Sequence, residues 1–122
     1  MAVLRRLGRI TEARELAGLL DDRVTSVRAC SMERRPGPEY DFNEPLLERV
    51  LGQPDFDCAV IVSMLFLQPG RHAGPGGDVA EICEAAKRTV PGLSTHMTDL
   101  VGAHPDLLAI LEERLRSVLE AG

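Results

Sequence analysis

The sequence predicts one small α/β domain over residues 1–122, with a doubly wound parallel sheet and helices on both faces. The chain has 122 residues, of which 44% are hydrophobic, so it can bury a core without disulfides or metals. Residues 58–67 (CAVIVSMLFL) are almost all apolar and lie between Asp57 and Gln68. Such an unbroken run is typical of a central parallel strand covered on both faces. Helical and strand patterns alternate along the rest of the chain, which favours a parallel sheet.

The elements follow in order from the amino end. A helical pattern over residues 2–22, with Thr11 as a candidate N-cap, opens the chain, and a β-prone run at 24–29 follows. After a loop at 33–42, Pro45 marks the first turn of a helix. The remaining predicted elements are a strand at 58–67, a helix at 78–88, a strand at 93–100 and a helix at 106–121. We expect the side chains of Val60, Ile61, Val62, Leu107, Leu108, Leu111, Leu115 and Leu119 to be buried.

Composition excludes several classes of partner. The net charge is −5 and no run of Lys or Arg is long enough to follow a phosphate backbone, so nucleic acid is disfavoured. Residues 1–20 carry too many charges for a signal peptide or a membrane span. The three cysteines form no CxxC pair, which favours buried thiols in a reducing compartment. These features predict a cytoplasmic protein without a membrane contact.

The segment that follows the central strand is the candidate site. It reads QPGRHAGPGGD over residues 68–78, and ligands of open parallel sheets bind beyond the carboxyl ends of the strands. The imidazole of His72 suits cobalt or ferrous iron, or can accept a proton. Glycines let the backbone approach a bulky ligand, and free N–H groups at the start of the next helix favour an anion. The alternative is a glycine-rich turn that carries an exposed histidine.

Three motifs resemble one known family. They are LFLQPGRH, the helix opening Asp78-Val79, and LVGAHPDLLAILEERL, and they occur in the family's order within residues 57–119. The chain resembles the class II chelatases of cobalamin and siroheme synthesis, the sirohydrochlorin cobaltochelatase and ferrochelatase family (CbiX/SirB-like). The resemblance implies a chelatase-like fold and the insertion of a metal ion into a tetrapyrrole.

The resemblance also assigns roles to individual residues. It implies that His72 binds metal and takes part in catalysis, and that Glu33 is a second candidate metal ligand unless it is a solvated loop residue. Substrate carboxylates would meet Arg71 and the backbone at Gly74, Gly76 and Gly77, with Arg34 or Arg35 as further candidates. His104 either contacts substrate or caps the last helix. No organic cofactor is implied, because the divalent metal, cobalt or ferrous iron, is a substrate.

One departure from the family bears on activity. Family members begin with a strand that ends in a His-Gly-Ser motif, whose His is a metal ligand, and no such motif occurs here. We therefore expect a chain without its first strand, through a misplaced start at Met1 or through real loss, and an unpaired flank on the next strand. Three functions stay open: a short chelatase that needs a second copy, a degenerate domain that binds metal or tetrapyrrole without turnover, and a partner for another chelatase half.

Overall fold

The computed structural model of the chain describes residues 3–4, 15, 18–20 and 23–122. Its strands form two parallel pairs. Strand β1 (Val3–Leu4) pairs with β2 (Arg28–Ala29), and β3 (Ala59–Val62) pairs with β4 (Ser94–Met97). The predicted parallel pairing is confirmed. The doubly wound arrangement is not confirmed, because the described strands form two sheets of two strands each.

The helices agree closely with the sequence patterns. In the part of the chain from residue 23 onward they are α1 (Leu47–Val50), α2 (Asp78–Thr89) and α3 (Asp106–Ala121). A short 3-10 helix, η1 (Pro38–Asn43), precedes α1, and another, η2 (Val101–Ala103), lies between α2 and α3. Helix α2 carries acidic residues in its first turn and basic residues in its last, which complements the helix dipole. Of the helices in the described part of the chain, none is both long and apolar enough to cross a membrane.

The amino-terminal prediction was wrong in one respect. Val3 and Leu4 form a strand instead of the start of a helix, although residues 15, 18 and 19 are helical as predicted. The remainder of the predicted helix lies outside the described residues. Because β1 pairs with both residues of β2, the expectation of a missing first strand with an unpaired flank is also wrong. Only the His-Gly-Ser motif itself is missing from the sequence.

The predicted central strand is buried on one face only. Val60 and Val62 are fully or almost fully buried, but Ile61 between them is 43% exposed. The apolar run was therefore misinterpreted, because it predicts burial for both faces while the structure covers one. The covered face packs with Val50 of α1 and Cys83 of α2 in a core that is mainly aliphatic and also contains Phe56.

Two further burial predictions fail. Cys30 and Cys83 are buried as expected, but Cys58, which precedes β3, is exposed. Helix α3 has an apolar stripe, yet Leu107 is only partly buried and the other large apolar side chains are 50–75% exposed. Among the described elements, its main packing partner is η2. Helical periodicity defines the stripe without saying what covers it. The exposed apolar residues of α3 are Leu108, Ile110, Leu111, Leu115, Val118 and Leu119.

Candidate functional site

A cleft opens at the carboxyl ends of β3 and β4. Its volume is about 570 Å³, within the range of small-molecule pockets. The chain after β3, the glycine-rich loop at Gly74 and Pro75, and the chain after β4 form its walls. The hydroxyl of Thr98 accepts a hydrogen bond from the Met64 N–H at 2.9 Å and so ties the two strand ends together. The cleft therefore lies beyond the carboxyl ends of parallel strands, where open α/β sheets bind their ligands.

A glycine closes the far wall of this cleft. The Val101 N–H donates to the Phe66 carbonyl at 2.9 Å, which brings η2 onto the chain that leaves β3. A Cβ at Gly102 would overlap the carbonyl oxygen of Leu67, so only glycine fits this approach. Sequence reasoning missed Gly102, because nothing in the GAHP segment marks a backbone contact with a residue 35 positions away.

A second, smaller cavity lies beside the first. Its volume is about 270 Å³, and it lies between Cys30–Met32 after β2 and Val62–Phe66 at the end of β3. Val79 from α2 and Leu47 from α1 complete its mainly apolar lining. Met64 belongs to both linings, so the two spaces are neighbours along the same sheet edge.

The glycine-rich loop is a compact turn that is fastened to the start of α2. Gly70 and Ala73 exchange two backbone hydrogen bonds, of 3.0 and 3.2 Å. Gly74 and Gly76 have φ angles of 111° and 73°, which favour glycine. At Gly77 a Cβ would lie 3.1 Å from both the Arg71 carbonyl oxygen and the His72 carbonyl carbon. These three glycines are therefore required by the loop's own fold, whatever they do for a ligand.

Three of the N–H groups that were expected to be free for an anion at the start of α2 have partners within the protein. The N–H groups of Asp78 and Val79 donate to the Arg71 and His72 carbonyls at 3.1 and 3.2 Å, and the Gly77 N–H donates to Gly74. These donors were predicted to be free for a substrate carboxylate. They are instead used within the protein, because the loop folds back over the helix end and satisfies them.

The loop brings His72 against a carboxylate. The Nδ1 atom of His72 lies 2.6 Å from Oδ2 of Asp78, the first residue of α2. The two side chains are 42% and 35% exposed. Arg71, which is 86% exposed, places its Nε 3.8 Å from the same carboxylate oxygen. The sequence marks Asp78 only as a helix opening, so this partner of His72 was missed.

The other predicted site residues lie apart from this pair. Glu33 is exposed and makes no hydrogen bond or ion pair with any described residue. His104 is exposed, and its Nδ1 accepts a hydrogen bond from the Asp106 N–H at 3.2 Å. This contact agrees with the second of the two roles considered for His104, capping of the last helix. Asp99 is the one charged residue in the lining of the cleft, so the described walls carry no arginine for substrate carboxylates.

The guanidinium of Arg34 is held by a structural cluster. It lies 2.8 Å from Asp41 and 3.1 Å from Glu44, and it donates to the Gly37 carbonyl at 2.7 Å. The hydrogen bonds with these two carboxylates raise the pKa of Arg34. Arg35 lies over the ring of Tyr40, 6.0 Å from its centroid. The suggestion that Arg34 serves substrate carboxylates is wrong, because its donors bind the 37–44 segment.

The described residues contain no group of three His, Cys, Asp or Glu side chains that could hold a metal ion. His72 and Asp78 therefore form a pair of polar side chains and not a complete set of metal ligands. An ionised carboxylate only accepts hydrogen bonds, so the contact places the proton of a neutral imidazole on Nδ1 and leaves the lone pair on Nε2. An Nε2 lone pair can bind a divalent ion of intermediate softness or accept a proton.

Comparison with known proteins gives one result. The model of the CbiX family matches residues 12–118, which is most of the chain and includes the His72 loop and most of helix α3. No curated protein and no solved structure matches the chain significantly. The matched range includes all three motifs, and it extends upstream of the segment in which they lie. The chain therefore belongs to the CbiX family of chelatases, which act on a tetrapyrrole together with a metal ion.

Proposed function

We propose that this protein inserts cobalt or ferrous iron into a sirohydrochlorin-like tetrapyrrole, as a step of cobalamin or siroheme biosynthesis. One observation carries the proposal. In a chain of the CbiX family, a half-exposed histidine stands on the loop that also forms a wall of the 570 Å³ cleft, at the carboxyl edge of the parallel strands. The divalent ion is a substrate, and no organic cofactor is required.

Metal insertion requires few covalent steps. The ion must lose water, the macrocycle must be held, and two pyrrole N–H protons must leave. The largely apolar cleft suits the face of a macrocycle, since burial of apolar surface stabilises it there. In this proposal His72 presents Nε2 at the loop, where it delivers the ion or accepts a pyrrole proton.

The remaining residues have supporting roles in the proposal. Glu33, one residue beyond the segment that lines the 270 Å³ cavity, adds a carboxylate ligand to the incoming ion. The exposed guanidinium of Arg71 reaches substrate carboxylates at the rim, and the backbone of Gly74 contacts the macrocycle from the wall of the cleft. Gly76, Gly77 and His104 shape this rim from the two sides.

A second copy of the chain, or another chelatase half, would complete the site. The cleft has walls on the sides given above and is otherwise open, and α3 exposes an apolar stripe beside η2. A row of exposed apolar side chains on one helix is typical of an interaction surface. A partner that covers the stripe would also place a second wall against the macrocycle.

One observation favours a different function, binding without turnover. The family's His-Gly-Ser motif is missing, and the described residues offer one imidazole and isolated carboxylates instead of a three-ligand set. One imidazole with one carboxylate holds a divalent ion weakly. The domain would then carry tetrapyrrole or metal and pass it on.

An insertion assay separates these functions. Sirohydrochlorin is incubated with Co²⁺ or Fe²⁺ and the protein, and the metallated product is followed by absorbance. We expect His72→Ala to lower the rate of insertion to the uncatalysed level. The matched control is His96→Ala, which removes an exposed imidazole from β4. Equal rates with and without wild-type protein, together with tight tetrapyrrole binding, would replace the chelatase with the binding function.

A further inference from the structure

We infer that Asp78 is a positioning residue that fixes the orientation and the tautomer of His72, so that Nε2 is the atom presented to the metal ion or to the pyrrole proton. The statement about Nε2 rests on the proposed function, whereas the statement about the tautomer rests on the geometry alone. The inference adds Asp78, which has no role in the proposal above, to the site of His72.

The first support is the contact itself. At 2.6 Å, the distance between Nδ1 and Oδ2 is at the short end for hydrogen bonds that involve an ionised group. A neutral imidazole carries one N–H and one lone pair, and the carboxylate accepts only. Without this partner either nitrogen could carry the proton.

The second support is that the Asp78 carboxylate does not cap the helix it begins. Asp78 begins α2, where an acidic side chain ordinarily only complements the helix dipole or caps free N–H groups. Here Gly77 is the N-cap, and no side chain makes a capping hydrogen bond. The carboxylate is turned to the imidazole instead, and the Arg71 Nε at 3.8 Å adds a weaker contact on the same oxygen.

The third support is the rigidity of the backbone on both sides. The segment that carries His72 and the first turn of α2 are joined by two backbone hydrogen bonds, from Asp78 N–H to the Arg71 carbonyl and from Val79 N–H to the His72 carbonyl. Ala73, next to His72, is 3% exposed and belongs to the core. The pair is thus held between the core and the end of a 12-residue helix. Such rigid support on both sides is what a functional site needs to keep its geometry.

The chemistry gives this arrangement a purpose. Metal-binding histidines in proteins ordinarily donate their second N–H to a carboxylate or carbonyl, which orients the ring and raises the basicity of the ligating nitrogen. The same polarisation assists an imidazole that accepts a proton. Asp78 would therefore act on the reaction through His72 without touching the substrate.

The test reads the tautomer directly. The chain contains three histidines, so two-bond ¹H–¹⁵N correlation spectra of protein with ¹⁵N-labelled histidine resolve each ring at a pH at which the rings are neutral. The His72→Ala variant assigns the signal. We expect the wild-type His72 to show the Nδ1–H pattern, and Asp78→Ala to show a mixture or the Nε2–H pattern. The control is Glu81→Ala, which removes an exposed carboxylate from the same first turn of α2 and should leave the pattern unchanged.

A second arm measures the consequence with Co²⁺ alone as the probe. Broadening of the His72 signals by Co²⁺ should require about 10- to 100-fold more metal in Asp78→Ala than in wild type. In a His72→Ala background, followed by cobalt absorbance, the same change should have no effect on Co²⁺ binding. Asp78→Asn repeats both arms with little change of volume, and the tautomer of His72 in the wild type is read without any change at Asp78.

The outcomes are distinct. An Nε2–H tautomer of His72 in the wild type, or an unaltered pattern in Asp78→Ala, would overturn the inference whatever the insertion assay gives. A loss of Co²⁺ binding of equal size in the His72→Ala background would overturn it too. The expected tautomer and cobalt effects without any insertion activity would leave the role of Asp78 intact and contradict the chelatase.

Discussion

Replacing Gly77 with alanine should disturb the His72 loop through one methyl group. Gly77 is buried and has a φ of −78°, so alanine brings no backbone strain. Its Cβ would instead lie 3.1 to 3.2 Å from three backbone atoms of Arg71, His72 and Ala73. Backbone cannot rotate away as a side chain can, so the loop that carries His72 has to shift.

The magnitude follows from three contributions. Overpacking of a well-packed site costs about 1–3 kcal/mol. Alanine is a poorer N-cap than glycine by roughly 0.5–1 kcal/mol, and it stabilises by about 0.4–1 kcal/mol through the lower entropy of the unfolded chain. The last two contributions offset each other, so Gly77→Ala should lower the free energy of unfolding by about 2 kcal/mol.

Urea unfolding of Gly77→Ala and of a matched variant tests this reasoning. Gly70→Ala is the control, because it makes the same change in the same loop at a position where a Cβ meets nothing within 4 Å. We expect its stability to stay within about 0.5 kcal/mol of wild type. The His72 signals should shift in Gly77→Ala alone. Equal stability of the two variants, with unshifted His72 signals, would refute the argument from the close approach.

Two other variants test burial and exposure. Burial raises the pKa of the Cys83 thiol, and its hydrogen bond with Thr95 offsets only part of this. The thiol thus ionises first in the unfolded chain, so the stability it contributes is complete below about pH 8.5 and declines as the pH rises. The free energy of unfolding, measured with urea, should decline less between pH 8 and 10 in Cys83→Ala than in wild type. Equal declines in the two proteins would contradict this. Glu in place of Leu111 and Leu115 of α3, which are 56% and 61% exposed, should change the unfolding free energy by less than about 0.5 kcal/mol and weaken self-association in sedimentation. A loss above about 2 kcal/mol would show that these leucines are buried.

Sequence patterns predicted the local elements better than their surroundings. Helices α2 and α3 begin at the predicted residues because caps, prolines and periodicity are local signals. Burial of Ile61 was wrong because a run of apolar residues does not show whether one face or both are covered. Strand β1 was missed because two residues have no period, and their conformation is set by pairing with β2, more than twenty positions away.

In the candidate site, too, the position of a residue could be predicted from the sequence, whereas its contacts could not. His72 was predicted from its place after β3, since the carboxyl ends of parallel strands define the edge at which ligands bind. Its contact with Asp78 was not, because six residues of a glycine-rich turn correspond to no helical or strand period. The N–H groups of α2 were assigned to a substrate because sequence cannot show that the loop folds back and satisfies them.

The exposure of α3 has a consequence for the dynamics of the chain. Among the described elements, α3 packs mainly on η2, and an isolated helix of its 16 residues has little stability of its own in water. It should therefore open as a separate cooperative unit, with fast amide exchange, while the core-facing amides of α2 exchange only through much larger unfolding events. Covering α3 would slow amide exchange in that helix and leave the exchange of α2 nearly unchanged.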